Sequence, residues 1–220
     1  MVSGDAMTPS QERRADPERV KAFTDGVFAI IITILVLEIS VPAGLPEQSL
    51  ADAIGEIGPE LLAWVISFFI VGMYWVGHRD LFNQVRFVNR DVVWLNLLFM
   101  MPAALIPFAA SVLGAYHDEP IALHLYGAVL IATALLRWLL YGYLMRRPSL
   151  LWEPPGPKRQ RVGALLAGAP ILVYVVAMLV AAVAPTVSLL LYLAMPALYL
   201  LLVAVLRQSP ATREEAADYG

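Results

Sequence analysis

The chain has 220 residues, 60% of them hydrophobic and 15% charged, with a formal net charge of −3. An ordinary soluble domain is about one quarter charged, and no soluble core of this size hides several apolar runs of roughly twenty residues. The mean hydropathy of +0.70 therefore assigns the chain to the membrane class, and the lack of cysteine excludes disulfides, Cys-ligated metals and thiol chemistry.

Residues 1–18 are polar and read as a flexible cytoplasmic tail, with no cleavable signal expected after the first apolar run. Asp16-Pro17-Glu18 is a helix start, the aspartate capping and the proline opening the first turn. The first span is expected over 20–39, with charge at its inner end (Arg19, Lys21, Asp25) and a single polar side chain, Thr33, at mid-depth. Residues 40–58 form a loop carrying only acids, whose second half, SLADAIGEIG, has the pattern of a short interfacial helix. Further spans are expected over 59–77, 91–113 and 121–144, with Pro102 and Pro107 as kinks in the third. Residues 146–161 are basic and proline-rich.

Val162 to Leu206 carries no formal charge. As one helix at about 1.5 Å per residue it would be roughly twice as long as a ~30 Å hydrocarbon core. It must fold back, and Pro185 is the natural turn, giving spans over 162–184 and 186–206 and a cytoplasmic tail over 207–220. Residues 19–206 are thus read as an all-α, polytopic domain of six transmembrane helices. On that topology every Lys and Arg outside the spans falls on one side, leaving Lys21 and Arg137 within spans, and the opposite loops hold only acids. This pattern predicts a multi-pass protein of the cell inner (plasma) membrane with both termini cytoplasmic. The basic clusters read as topology anchors against lipid, with no nucleic-acid partner.

No catalytic, phosphate-binding or metal-ligand motif is present, so neither an enzyme nor a bound cofactor is expected. Ser67, Asn96, Thr133 and Ser188 are isolated polar side chains of the kind that pack helices together. Arg19 and Asp25 do not share a helix face, so each is expected to meet a neighbouring helix, where His78, Arg79 and Asp91 lie at similar depth. Arg137 is expected to snorkel to the inner interface. Ile30, Ile34 and Leu37 share one face of the first helix with Thr33 beside them, which suits a pore wall or a bundle core equally.

Arg19, three residues, then Phe23-Thr24-Asp25-Gly26 resembles the R-x-x-x-F-[S/T]-D signature of the lysosomal potassium channel family, transmembrane protein 175, and its bacterial homologues. Trp75-x-x-His78 with Phe82, Asn96-Leu97 and Pro107-Phe108 extend the resemblance over residues 19–108; Thr24 stands where serine is commoner. The resemblance implies a potassium-permeable channel without a TVGYG filter, assembled as a homotetramer with the first helix lining the pore. It further implies a hydrophobic constriction at Ile30 continued by Ile34 and Leu37. Potassium preference falls to Thr33, past which ions move without a fixed metal site. Arg19, Asp25, Trp75 and His78 form the polar network that holds the pore helix. A secondary transporter, or a membrane structural or assembly protein without transport activity, are the rival classes. The topology has a direct test: cysteines introduced at Gln48, Asp118 and Thr186 label from outside and those at Ser3 and Ser209 do not, while outside labelling at Ser209 breaks the even count.

Overall fold

The computed structural model of the chain describes residues 15–39 and 55–207, the side chains of 205–207 excepted. Most of the expected interfacial helix of the first loop and most of both tails lie outside the described residues. Among the described residues there are six helical spans. They comprise α1 (Glu18–Leu35, continued by a 3-10 turn Val36–Glu38), α2 (Gly58–Phe82), the pair α3 (Arg90–Ala103) and α4 (Ile106–Ala115), α5 (Pro120–Met145), α6 (Pro157–Ala181) and α7 (Pro185–Arg207).

Local chemistry sets the ends. The Asp16 carboxylate accepts the Glu18 N–H at 3.0 Å, and Asn89 Oδ1 accepts the Val92 N–H at 3.0 Å to open α3. Helices α2, α4, α5 and α6 each begin with proline in the first turn, where its missing N–H costs no helical bond. The uncharged block turns between Ala181 and Pro185, where Val183 and Ala184 both donate to the Val180 carbonyl.

Three elements differ from expectation, the first being α6, which starts at Pro157 and not at residue 162 and so takes Lys158, Arg159 and Arg161 into its first turns. Helix α2 runs past residue 77 to Phe82, because His78 is paired and buried and so needs no exit from the helix. The third span is interrupted, not merely kinked: Ala104 and Leu105 form a turn between α3 and α4. Pro102 and Pro107 cannot donate to the helical ladder, and Leu105 N–H tightens onto the Pro102 carbonyl at 3.0 Å.

The spans share one interior. Helix α1 packs on α2 and the α3–α4 pair; α5 packs on α3, α4 and α6; α7 closes onto α6 and α2. The core runs from Phe28 and Phe99 through Ile66 and Ile70 to Tyr126 and Tyr192. A second apolar cluster around Phe82, Val85, Leu144 and Leu151 closes the basic end. There, short antiparallel bridges join Ala15 to Val88 and Val85 to Leu151, placing the start of α1 and the connections after α2 and α5 at the same end.

Close approach between α2 and α4 requires glycine. A Cβ on Gly114 would lie 2.9 Å from the Glu60 Cα, whereas one on Gly72 meets nothing within 4 Å. Gly114→Ala is therefore expected to cost about 1–3 kcal/mol as α2 and α4 are forced apart, and Gly72→Ala to leave stability unchanged or slightly higher. Thermal unfolding of the purified variants in detergent checks the pair; equal melting temperatures would contradict the packing.

Candidate functional site

The first helix buries one stripe, Thr24, Phe28, Ile31 and Leu35, at the four-three-four spacing of a single helix face. Its other side is bare. Ile30 is 58% exposed, Ile34 39% and Leu37 76%, with Thr33 exposed among them. These four predicted pore residues thus share the face the subunit leaves uncovered. The Thr33 hydroxyl donates within its own helix, to the Ala29 carbonyl at 2.9 Å, with the Ile30 carbonyl at 3.0 Å. Its single proton is used on the backbone, and the oxygen lone pairs remain for a cation or water.

At the charged end of α1, the structure divides the predicted polar network into two arms. In the exposed arm, the Trp75 indole Nε1–H donates to Asp25 Oδ1 at 2.8 Å, and the Arg79 guanidinium lies over the Trp75 ring, 5.5 Å from its centroid. Asp25 thus meets a neighbouring helix, as expected, through the Trp75 indole and not through His78, Arg79 or Asp91. Among the described residues Arg19 forms no ion pair and is exposed.

The second arm is buried. His78 Nε2 and Asn96 Oδ1 are 2.8 Å apart, Asn96 Nδ2 donates to Thr24 Oγ1 at 2.8 Å, and Thr24 Oγ1 donates to the Val20 carbonyl at 2.8 Å. The directions are forced along the chain. Thr24 has one proton and uses it on Val20, so it accepts from the Asn96 amide nitrogen. Asn96 then presents its oxygen, and His78 Nε2 must carry the proton. The Phe82 ring stacks on the imidazole with centroids 4.2 Å apart, and Phe99 lies nearly parallel to it at 5.8 Å. The aromatic walls orient the ring while its nitrogen bonds to Asn96.

Sequence reading placed His78 in the network and missed Thr24 and Asn96 as members. Thr24 figured only as a conservative change in the motif, and Asn96 as an isolated packing residue. Each was a hydrogen-bonding side chain in an apolar run, but its partner lies on another helix and no intrahelical spacing reveals it. Ser67 does join two helices, pairing with the Tyr126 hydroxyl at 2.9 Å, whereas buried Thr133 spends its hydroxyl on the Val129 carbonyl of its own helix at 2.8 Å. Arg137 does not snorkel. It is 7% exposed, held inside the subunit by the bundle on every side. No group of three metal-ligating side chains exists among the described residues.

A family model described as Endosomal/lysosomal potassium channel TMEM175 matches residues 19–107, from the start of α1 through α2, both arms of the network and α3 to the break that opens α4. A potassium channel of Streptomyces collinus is 40% identical over 136 residues, 60% of this chain and 66% of that protein. A potassium channel of a Chryseobacterium species is 39% identical over 128 residues, covering 58% of this chain and 65% of that protein. The mouse endosomal/lysosomal proton channel TMEM175 is 37% identical over 111 residues, 47% of this chain and 22% of that protein. The match thus spans just under two thirds of the bacterial relatives' length. In fold, the chain superposes on the crystal structure of a lysosomal potassium-selective channel TMEM175 homolog from Chamaesiphon minutus. The TM-score is 0.75 at 24% identity, covering 84% of this chain and 96% of the other.

The buried arm has a measurable energetic consequence. Asn96→Ala strands the His78 Nε2 proton in an apolar interior, while Thr24 Oγ1 keeps its bond to the Val20 carbonyl; with one buried group left unsatisfied, it is expected to lower stability by about 1–3 kcal/mol. Thr24→Ser retains the hydroxyl and should lose far less, and Asp25→Asn, which still accepts from Trp75, should change little in the exposed arm. Thermal unfolding in detergent ranks the three, and an Asn96→Ala protein as stable as Asp25→Asn would refute the buried chain.

Proposed function

The chain belongs to the TMEM175 family of endosomal/lysosomal potassium channels, and from that premise we propose that it is a potassium-permeable cation channel whose pore is lined by α1. The observation that carries this reading is the bare apolar face of α1. Ile30, Thr33, Ile34 and Leu37 lie on it together, in the helix least covered by its own subunit. Copies assembled around an axis, a homotetramer in this reading, cover that face and place one Ile30 per subunit at a common depth. Phe23 and Gly26 lie toward the inner end of α1's uncovered side, consistent with contact between neighbouring subunits.

A ring of isoleucine side chains offers no group to replace an ion's hydration shell, so it dewets and blocks current when narrow. Spreading the α1 helices rewets it. One turn outward, Thr33 supplies an oxygen whose proton is already used on the backbone. It can take part in stripping water from potassium, giving modest selectivity. The positive-inside pattern orients both termini toward the cytoplasm. An ion channel of this kind belongs to no enzyme class, and its partners are potassium ions, lipid and further copies of itself.

The interrupted third span is a feature that transporters share. Here it supplies no polar binding site: the residues beside the break include Met101 and Leu105, both apolar and exposed on the outside of the subunit. The discontinuity therefore favours a structural joint over a substrate pocket.

The test is potassium flux in liposomes, compared with sodium flux, for matched variants on adjacent positions. Ile30→Asn hydrates the constriction and is expected to raise leak and lower selectivity. Ile31→Asn turns about 100° away, into the core where the wild-type side chain is 4% exposed. It should cost about 1–3 kcal/mol and reduce folded yield instead. Thr33→Val should keep the pore conducting with a smaller preference for potassium over sodium. If Ile30→Asn merely lowers yield, as Ile31→Asn does, α1 does not line the pore.

A further inference from the structure

Arg137 sits two helical turns before the end of α5, at bilayer depth, and takes no part in the functional site described above. Among the described residues it forms no ion pair, and its Nε is buried without a hydrogen-bond partner. A guanidinium at such a depth is expensive, so its placement has to serve something. It lies directly on the backbone of α2. A Cβ added to Gly77 would overlap the guanidinium, with Arg137 Cζ at 2.9 Å and the Tyr199 hydroxyl of α7 at 3.0 Å. Only glycine leaves room for that contact, and Gly72, earlier on the same helix, has open space instead.

The residue after this notch is His78, the first member of the buried chain to α1. The backbones of α2 and α5 scarcely approach each other, so at this level the long Arg137 side chain, with Tyr199, bridges the gap. Gly77, His78, Asn96 and Thr24 all fall within the stretch matched by the family model, whereas Arg137 and Tyr199 fall outside it.

We propose that Arg137 is a positioning residue: seated in the notch at Gly77, it fixes the α2 backbone from which His78 reaches Asn96 and Thr24, and so couples the C-terminal half of the subunit to the pore helix. The inference rests on the channel reading of α1. The coupling works through packing and hydrogen bonds along one continuous path, from α5 and α7 through α2 and α3 to the inner end of α1. Movement of α5 or α7 therefore reaches the pore helix at Thr24, below the constriction and away from Thr33.

The test measures potassium flux per folded channel in liposomes alongside thermal unfolding, using the full chain. Gly77→Ala puts a methyl group where the guanidinium lies, in a helix that alanine itself favours, and Arg137→Gln withdraws the charge. Each is expected to change flux per folded channel by roughly two- to thirty-fold, with potassium preference over sodium unchanged. In a Thr24→Val background, where the chain to α1 is already cut, the same substitutions should have no further effect on flux. The double variant Gly77→Ala with Arg137→Gln refills the notch and guards against a simple packing failure. Unchanged flux in the folded single and double variants would reduce Arg137 to a structural residue and overturn the proposal. So would full additivity with Thr24→Val, or failure of the double variant to fold. If the wild-type protein passes no potassium, the channel reading fails separately, and the coupling is read from backbone hydrogen exchange at Val20 to Thr24, which Gly77→Ala should accelerate.

Discussion

The subunit depends on one run of hydrogen bonds through an apolar interior, from His78 through Asn96 and Thr24 to the Val20 carbonyl. Each group has its partner inside the protein, where no water stands ready to replace it. The run crosses three helices, α2, α3 and α1, and so fixes the rotation of α1 as well as its depth. With Thr24 held inward, Phe28, Ile31 and Leu35 follow it into the core. Ile30, Thr33, Ile34 and Leu37 are then left outside by the geometry of the same helix. The bare face of α1 is thus a consequence of where a threonine finds its hydrogen bonds.

The neighbouring arm has a different character. Asp25 and Trp75 are joined by one bond at 2.8 Å on an exposed surface, with Arg79 over the indole. An exposed pair of this kind contributes little to the stability of a lone subunit. Its groups are open to further partners in a way that His78 and Asn96 are not. Arg19, exposed nearby, adds a guanidinium with no ion pair among the described residues. One arm builds the subunit, and the other stays open on its surface.

Elsewhere the interior handles polarity locally. The Tyr74 and Tyr192 hydroxyls donate to the Leu130 and Leu123 carbonyls of α5, each at 3.1 Å, and Ser67 pairs with Tyr126. Such bonds tie helices together where apolar side chains alone give no preference over lipid. At the basic end, backbone pairing does comparable work, with Ala15, Val88, Val85 and Leu151 joining three separate parts of the chain. Connections at that end are therefore held to one another as well as to the helices they leave.

Six spans, their all-α character and the end at which the basic residues gather were legible from the sequence. Bilayer thickness sets the length of an apolar run, and charge resists crossing, so composition alone carries that information. The pore-facing candidates were legible as one helix face, but not which way the face points: in a helix where nearly every residue is apolar, periodicity has no contrast. Tertiary structure decided the direction, through Thr24 on α1 and Asn96 on α3, 72 residues apart in the chain. It also joined Asp25 to Trp75, broke the third span at Ala104 and Leu105, and drew Arg137 inward onto Gly77. Each of these outcomes depends on two groups meeting from different helices. A single sequence specifies what such groups can bond, and only the packed bundle specifies which of them come within reach.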